Sequence, residues 1–230
     1  MSVVSVIMAH SPSSASPETD ALSGLEPVAL TVQWAVGEDW PVKGSLPTDS
    51  IWGQWFNRWW SALTVEELPY LAPVLEAVPK GDLAIAVNLR FVTDSDICQL
   101  NRDYRNSDRP TDVLAFSALE AIPPAILMAQ VTEGLASNGN PDSIDPDPIE
   151  LGDIIISLDT AQTQAQSLDH GLSLELAWLA AHGFLHLLGW DHPDRNQLEQ
   201  MLTCQQTLLT AANLGTVNWG ALDMAEMGYG

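Results

Sequence analysis

The sequence predicts an α+β fold, a small mixed β-sheet covered by helices in a single domain, and three observations carry that prediction. Segments with the period-two alternation of strands interleave with segments whose apolar residues recur at three and four positions. A chain of 230 residues has room for one domain with appendages, at roughly 100 to 200 residues per domain. With 46% hydrophobic and 17% charged residues it also holds enough apolar material for a sizeable core.

Residues 1–26 are rich in Ser, Pro and acid with no periodicity, and they predict a disordered tail ahead of a folded unit spanning 27–215. Val28, Leu30, Val32, Trp34 and Val36 alternate with smaller or polar residues and predict a half-buried strand, followed by a run of turn formers. From Ile51 to about Val65 the residues Trp52, Trp55, Phe56 and Trp59 share one helical face, a packed core face rather than a base-stacking platform; Pro69, Pro73 and Pro79 close this region. Leu83, Ile85, Val87, Leu89 and Phe91 predict a second strand. Thr93 and Asp96 have capping-box form and predict a helix from Asp94 to about Tyr104 with Ile97, Leu100 and Tyr104 inward.

Past Pro110, short strands are predicted at Val113 to Ser117 and at Asp153 to Leu158, the latter apolar enough to lie centrally in the sheet. The interval 118–149 carries several prolines, Asn138-Gly139 and an Asp-Pro-Asp-Pro run; it reads as a long acidic loop, with a helical turn possible only at Ala125 to Val131. Asp159 and Ser173 are candidate N-caps for two further helices. The second of these, Leu174 to Leu188, is apolar nearly all round and therefore buried, and Gly189 stops it. Leu198, Met201, Leu202, Gln205, Leu208 and Leu209 mark an amphipathic helix ending near Gly215, and 216–230 read as a loose tail.

Eight Lys and Arg against 30 Asp and Glu give a net charge of -22, which excludes a basic nucleic-acid clamp. Two cysteines, Cys98 and Cys204, without a second thiol at metal spacing, exclude a disulfide scaffold and suit a reducing compartment. No stretch of about 20 residues is free of ionisable groups, and no Lys or Arg precedes the short apolar run at the N-terminus. The expectation is a cytoplasmic protein without a membrane span.

Three of the five histidines fall within the eleven residues His182-Gly-Phe-Leu-His186-Leu-Leu-Gly189-Trp-Asp-His192. His182 and His186 lie one turn apart on a single helical face, Gly189 lets the chain turn back, and His192 can supply a third nitrogen to the same ion. Three imidazoles leave a fourth tetrahedral position open, as in a catalytic zinc site, where the ion lowers the pKa of its bound water to about 7. Imidazole ligands also suit copper and nickel. The competing reading, histidines merely satisfied within a core, accounts for one His more easily than for three at these spacings. Asp191 and Asp194 flank the third His, either as carboxylates orienting a ligand or, for Asp194, as a helix cap. The string matches the metzincin protease pattern HExxHxxGxxH except that Gly183 replaces the general-base Glu, which disfavours peptide hydrolysis.

HGFLHLLGWDH resembles the HGxLHLxGYDH signature of the YbeY family of metal-dependent endoribonucleases. Leu100-Asn101-Arg102-Asp103-Tyr104-Arg105-Asn106-Ser107-Asp108-Arg109-Pro110-Thr111-Asp112-Val113-Leu114-Ala115-Phe116 is similar to that family's LNxxYRxxDxPTDVLSF, and Leu151-Gly152-Asp153-Ile154 to its LGDI. Ala115 and Ser117 depart from the usual Ser and Pro. The resemblance implies a single-strand-specific zinc-dependent endoribonuclease acting in rRNA processing, including 16S 3' end maturation, and in ribosome quality control. It implies one Zn2+ per chain held by His182, His186 and His192 on a central helix and the turn after it, with Arg105 as the catalytic cation at the scissile phosphate. Guanidinium suits that role as a fixed bidentate partner of phosphate oxygens; the plainer reading of Arg105 is a solvated cation at a helix C-terminus. The implied partner is single-stranded rRNA on the small ribosomal subunit.

The charge opposes RNA binding. Arg90, Arg102, Arg105 and Arg109 cluster, but Asp94, Asp96, Asp103 and Asp108 share their segment, so weak affinity for free RNA is expected, with a protein partner delivering the substrate. Two other classes suit the same residues: a metal hydrolase of another substrate, and a non-catalytic ribosome assembly factor with a structural metal.

Overall fold

Alternating apolar residues place four strands in one sheet, and the helices cover it on both faces. The computed structural model describes residues 27–36, 46–137 and 148–218. The elements are β1 (Val28–Trp34), α1 (Asp49–Ala62), α2 (Ala72–Leu75), β2 (Ile85–Val92), α3 (Asp94–Arg105), β3 (Val113–Ser117), α4 (Pro124–Ser137), β4 (Ile149–Ser157), α5 (Leu158–Ser167), α6 (Leu172–Leu187) and α7 (Arg195–Ala211). Single 3-10 turns occupy Val65–Glu67, Pro69–Leu71 and Lys80–Asp82. The strand order is β1-β2-β4-β3, with β1, β2 and β4 parallel and β3 antiparallel at the edge. This is the mixed sheet of the expected α+β class. The tail 1–26, the turn formers at 37–45, the loop centre at 138–147 and residues 219–230 lie outside the described residues.

Strand periodicity divides the core. Leu89, Phe91, Ile154 and Ile156 face the larger side with α1, α6 and α7, whereas Val92, Leu114 and Ile155 face Ile97 of α3 on the other. The tryptophan face of α1 is core, as its spacing indicates: Trp52, Trp55, Phe56, Trp59 and Trp60 are buried. Trp52 lies 5.4 Å from Phe91, and Phe56 meets Phe184 of α6 edge-on at 5.2 Å, so α1 braces the helix that carries two of the histidines.

Several local expectations change. Residues 124–137, read as loop, form α4, whose first residue is Pro124; proline is favoured there because its missing N–H would have no helical partner. Tyr104, expected inward, is 67% exposed, with its ring edge-on to Phe116 at 5.0 Å. Helix α5 is capped by Ser157, whose Oγ accepts from Thr160 N, because Asp159 accepts instead from the backbone N of Asp94. Ser157 and Thr160 also donate to the Asp94 carboxylate, which ties the N-termini of α3 and α5 together. Helix α6 begins at Leu172, with Gly171 rather than Ser173 at its N-cap. The capping box of Thr93 and Asp96 forms as expected. Val217, in the segment read as a loose tail, is buried, and its N–H donates to Gln206 Oε1.

Strand β4 starts earlier than expected because it carries a bulge. Glu150 pairs with Ala86 and Gly152 with Val87, leaving Leu151 as the extra residue. Gly152 has φ +125°, and a Cβ there would lie 2.0 Å from the Phe116 carbonyl oxygen. The bulge presents the Leu151 carbonyl to Ala118 N at 2.9 Å, holding the end of β3 against β4. Gly152→Ala combines a backbone conformation disfavoured for L-residues with overpacking against main chain, and is expected to lower stability by about 2–5 kcal/mol. A urea midpoint unchanged from wild type would contradict this.

Candidate active site

Helix α6 is apolar nearly all round because β3 and β4 cover one side and α5 and α7 the others. It ends in a Schellman motif: Trp190 N donates to Leu185 O at 3.1 Å and Gly189 N to His186 O at 3.0 Å, with Gly189 at φ +100°. The Tyr70 ring packs on Gly189, where a Cβ would lie 2.9 Å from the ring, and Tyr70 N donates to Leu188 O. This cap turns the chain back so that His192 faces the helix it has just left. The ligand nitrogens of His182, His186 and His192 all lie within 4.8 Å of one another. The third histidine that the spacing called for is thus brought to the other two.

Each ring of the helix pair has an oxygen beside its inner nitrogen. His186 Nδ1 is 2.9 Å from the Trp190 carbonyl, and His182 Nδ1 is 3.2 Å from Gln205 Oε1. Such partners orient ligating imidazoles and leave Nε2 for the ion. Burial pushes the His182 pKa well below its ordinary value, helped by the neighbouring His186, His192 and Arg105. Burial, with His192 and Arg105, likewise brings His186 down to about 4. Both shifts favour the neutral ring, the state a metal requires. Three imidazoles with converging nitrogens fit a divalent cation and leave a tetrahedral position for water or substrate.

Arg105 ends α3, beside Asn106 in the left-handed cap conformation, and its exposed side chain lines the same cleft as the three histidines. It has no ion-pair partner among the described residues. Arg102, by contrast, is bound to Asp108 at 2.7 Å. The cluster of arginines therefore contributes one free guanidinium to the cleft, where Val113 and Ala115 of β3 form part of the wall. Asp194 is a helix cap, accepting from Gln197 N at 2.9 Å. Asp191 lines the cleft and accepts from His192 N at 2.8 Å.

Gly183 has a structural cause. A Cβ there would stand 2.7 Å from Ile154 Cγ2, so α6 approaches β4 too closely for a side chain. The position at which the protease pattern places its glutamate is a helix-to-sheet contact.

Two site residues were not singled out from the sequence. Asp112 is buried at the cleft wall; burial pushes its carboxyl up, while hydrogen bonds from Gln164, Val113 and Thr111 pull it down. Gln205 belongs to the buried stripe of α7, and the signal was a carboxamide standing among leucines.

The sequence profile of the family described as Endoribonuclease YbeY matches residues 64–213. A protein of Synechococcus elongatus named Endoribonuclease YbeY is 45% identical over 182 residues, covering 78% of this chain and 84% of its own. One of the same name from a Cyanothece species is 45% identical over 163 residues, covering 71% and 80%. A Thermotoga maritima protein solved in solution aligns over 79% of this chain and 90% of its own, at 20% identity and a TM-score of 0.36.

If the three nitrogens hold one ion, wild-type protein purified without a metal-affinity tag carries about one zinc per chain, and His186→Ala loses it, as read by elemental analysis. Equal metal content in the two would refute the site.

Proposed function

The chain belongs to the YbeY endoribonuclease family, and on that premise we propose that it is a zinc-dependent endoribonuclease cutting single-stranded RNA. We place it in the cytoplasm, in rRNA processing, including 16S 3' end maturation, and in ribosome quality control, with residues 27–215 as the working unit. One observation carries the reading: three imidazoles and a guanidinium without an ion-pair partner among the described residues converge on one cleft. No helix among the described residues is long and apolar enough to cross a membrane.

Phosphodiester cleavage accumulates negative charge on the non-bridging oxygens. Arg105 meets that charge with a fixed, permanently protonated fork, so no proton has to move to create the stabilising group. His182, His186 and His192 would hold a divalent ion, which would supply Lewis acidity and lower the pKa of water. The chain's own part is to favour the neutral form of His182 and His186 by burial, to hold those two rings through Gln205 and the Trp190 carbonyl, and to bring Arg105 against the same space. Water and a ribose 2'-hydroxyl both suit this arrangement as nucleophile.

The rival readings are weaker on physical grounds. Peptide hydrolysis lacks a base at Gly183, where the sheet excludes one. A purely structural metal would be expected to have four protein ligands, and only three His, Cys, Asp or Glu groups cluster here among the described residues. The net charge of -22 and the pairing of Arg102 with Asp108 leave few contacts for phosphates, which supports delivery of the rRNA by the small ribosomal subunit or a protein partner.

Arg105→Ala is expected to slow cleavage of a single-stranded RNA oligonucleotide by about 10²–10³-fold while zinc content stays at the wild-type level. Cleavage at the wild-type rate would remove Arg105 from the mechanism.

A further inference from the structure

Gln205 sits in the middle of α7, fully buried, on a face shared with Leu198, Met201, Leu202, Cys204, Leu208 and Leu209. A carboxamide in apolar surroundings is costly unless both of its ends are bonded. Here both are. One end lies 2.8 Å from the Trp178 carbonyl and the other 3.2 Å from His182 Nδ1.

The two ends of a carboxamide are told apart by their partners. A peptide carbonyl can only accept, so the end at Trp178 is the amino group and the end at His182 is the oxygen. That oxygen can only accept in turn, so His182 Nδ1 carries the proton. A neutral imidazole has one N–H, and Nε2 is left with a lone pair. The Trp190 carbonyl imposes the same tautomer on His186. The two Nε2 atoms then face each other at 3.1 Å with no hydrogen between them. Lone pairs at that separation repel, and a cation lying where both point turns the repulsion into attraction.

We propose that Gln205 is a positioning residue that sets the Nδ1–H tautomer of His182, relaying orientation from the Trp178 carbonyl and committing Nε2 to the metal. This rests on the metal-site reading above. Its partner to the imidazole carries no charge, unlike the carboxylate common in such relays, so it orients the ligand without reducing the net charge of the bound cation.

The test uses the full-length, metal-free protein and zinc alone. In competition titrations against a chromophoric chelator, Gln205→Leu is expected to weaken zinc binding by about 10–100-fold. Gln205→Glu should stay close to wild type, because a protonated carboxyl can donate to the Trp178 carbonyl and still accept from His182. Long-range 1H–15N correlation spectra of metal-free wild type should show His182 protonated at Nδ1 and not at Nε2. The proposal is overturned by wild-type zinc affinity in Gln205→Leu, or by an Nε2–H tautomer at His182; if the Leu variant does not fold, the wild-type spectrum decides. Wild type that binds no zinc but shows the Nδ1–H tautomer would sink the metal reading and leave the role of Gln205 in placing the proton standing.

Discussion

The Schellman cap at Gly189 is the constraint on which the site depends. Two hydrogen bonds close the end of α6 on Leu185 and His186, and a backbone at φ +100° with Tyr70 packed against it admits only glycine comfortably. The same few residues then perform three tasks. They end a helix that would otherwise carry His192 away from the other two histidines, they aim the Trp190 carbonyl at His186, and they start the turn towards α7, which brings Gln205 to His182. Helix termination and the geometry of the three histidines are one piece of chemistry.

Above that cap, α6 is held on every side. Phe184 is pinned by Phe56 and Gly183 lies against Ile154, so the helix has little freedom to slide or rotate over the sheet. Dense packing matters here because ligands borne on a single helix keep their mutual geometry only if that helix keeps its register. The burial that fixes the helix also pushes the pKa values of His182 and His186 down, so rigidity and readiness for a cation share a cause.

Much of this was legible in the sequence, and the limits have physical reasons. Spacing alone placed His182 and His186 on one face and Gly189 at the stop, because helical periodicity and the left-handed cap are local properties. The tryptophans of α1 read correctly as core for the same reason. Helix α4 was missed because adjacent prolines read as breakers, although Pro124 occupies the one helical position that favours proline. The caps at Asp159 and Ser173 were misplaced because Asp159 is used by Asp94, a partner 65 residues away in the chain, and Gly171 opens α6 without a side-chain cap. Tyr104 continued a helical stripe past the point where α3 leaves the core. Gln205 was visible as an oddity in an apolar stripe, but its role needs Trp178 and His182, which only the folded chain supplies.

We propose that three imidazoles of one helix-and-turn unit converge on a single cation beside Arg105. Diffraction from zinc-loaded crystals recorded on both sides of the zinc absorption edge tests it most directly. One anomalous peak per chain is expected, bonded to the Nε2 atoms of His182 and His186 and to a ring nitrogen of His192 at about 2.0–2.1 Å. A peak bound elsewhere, or none at these rings, would contradict it.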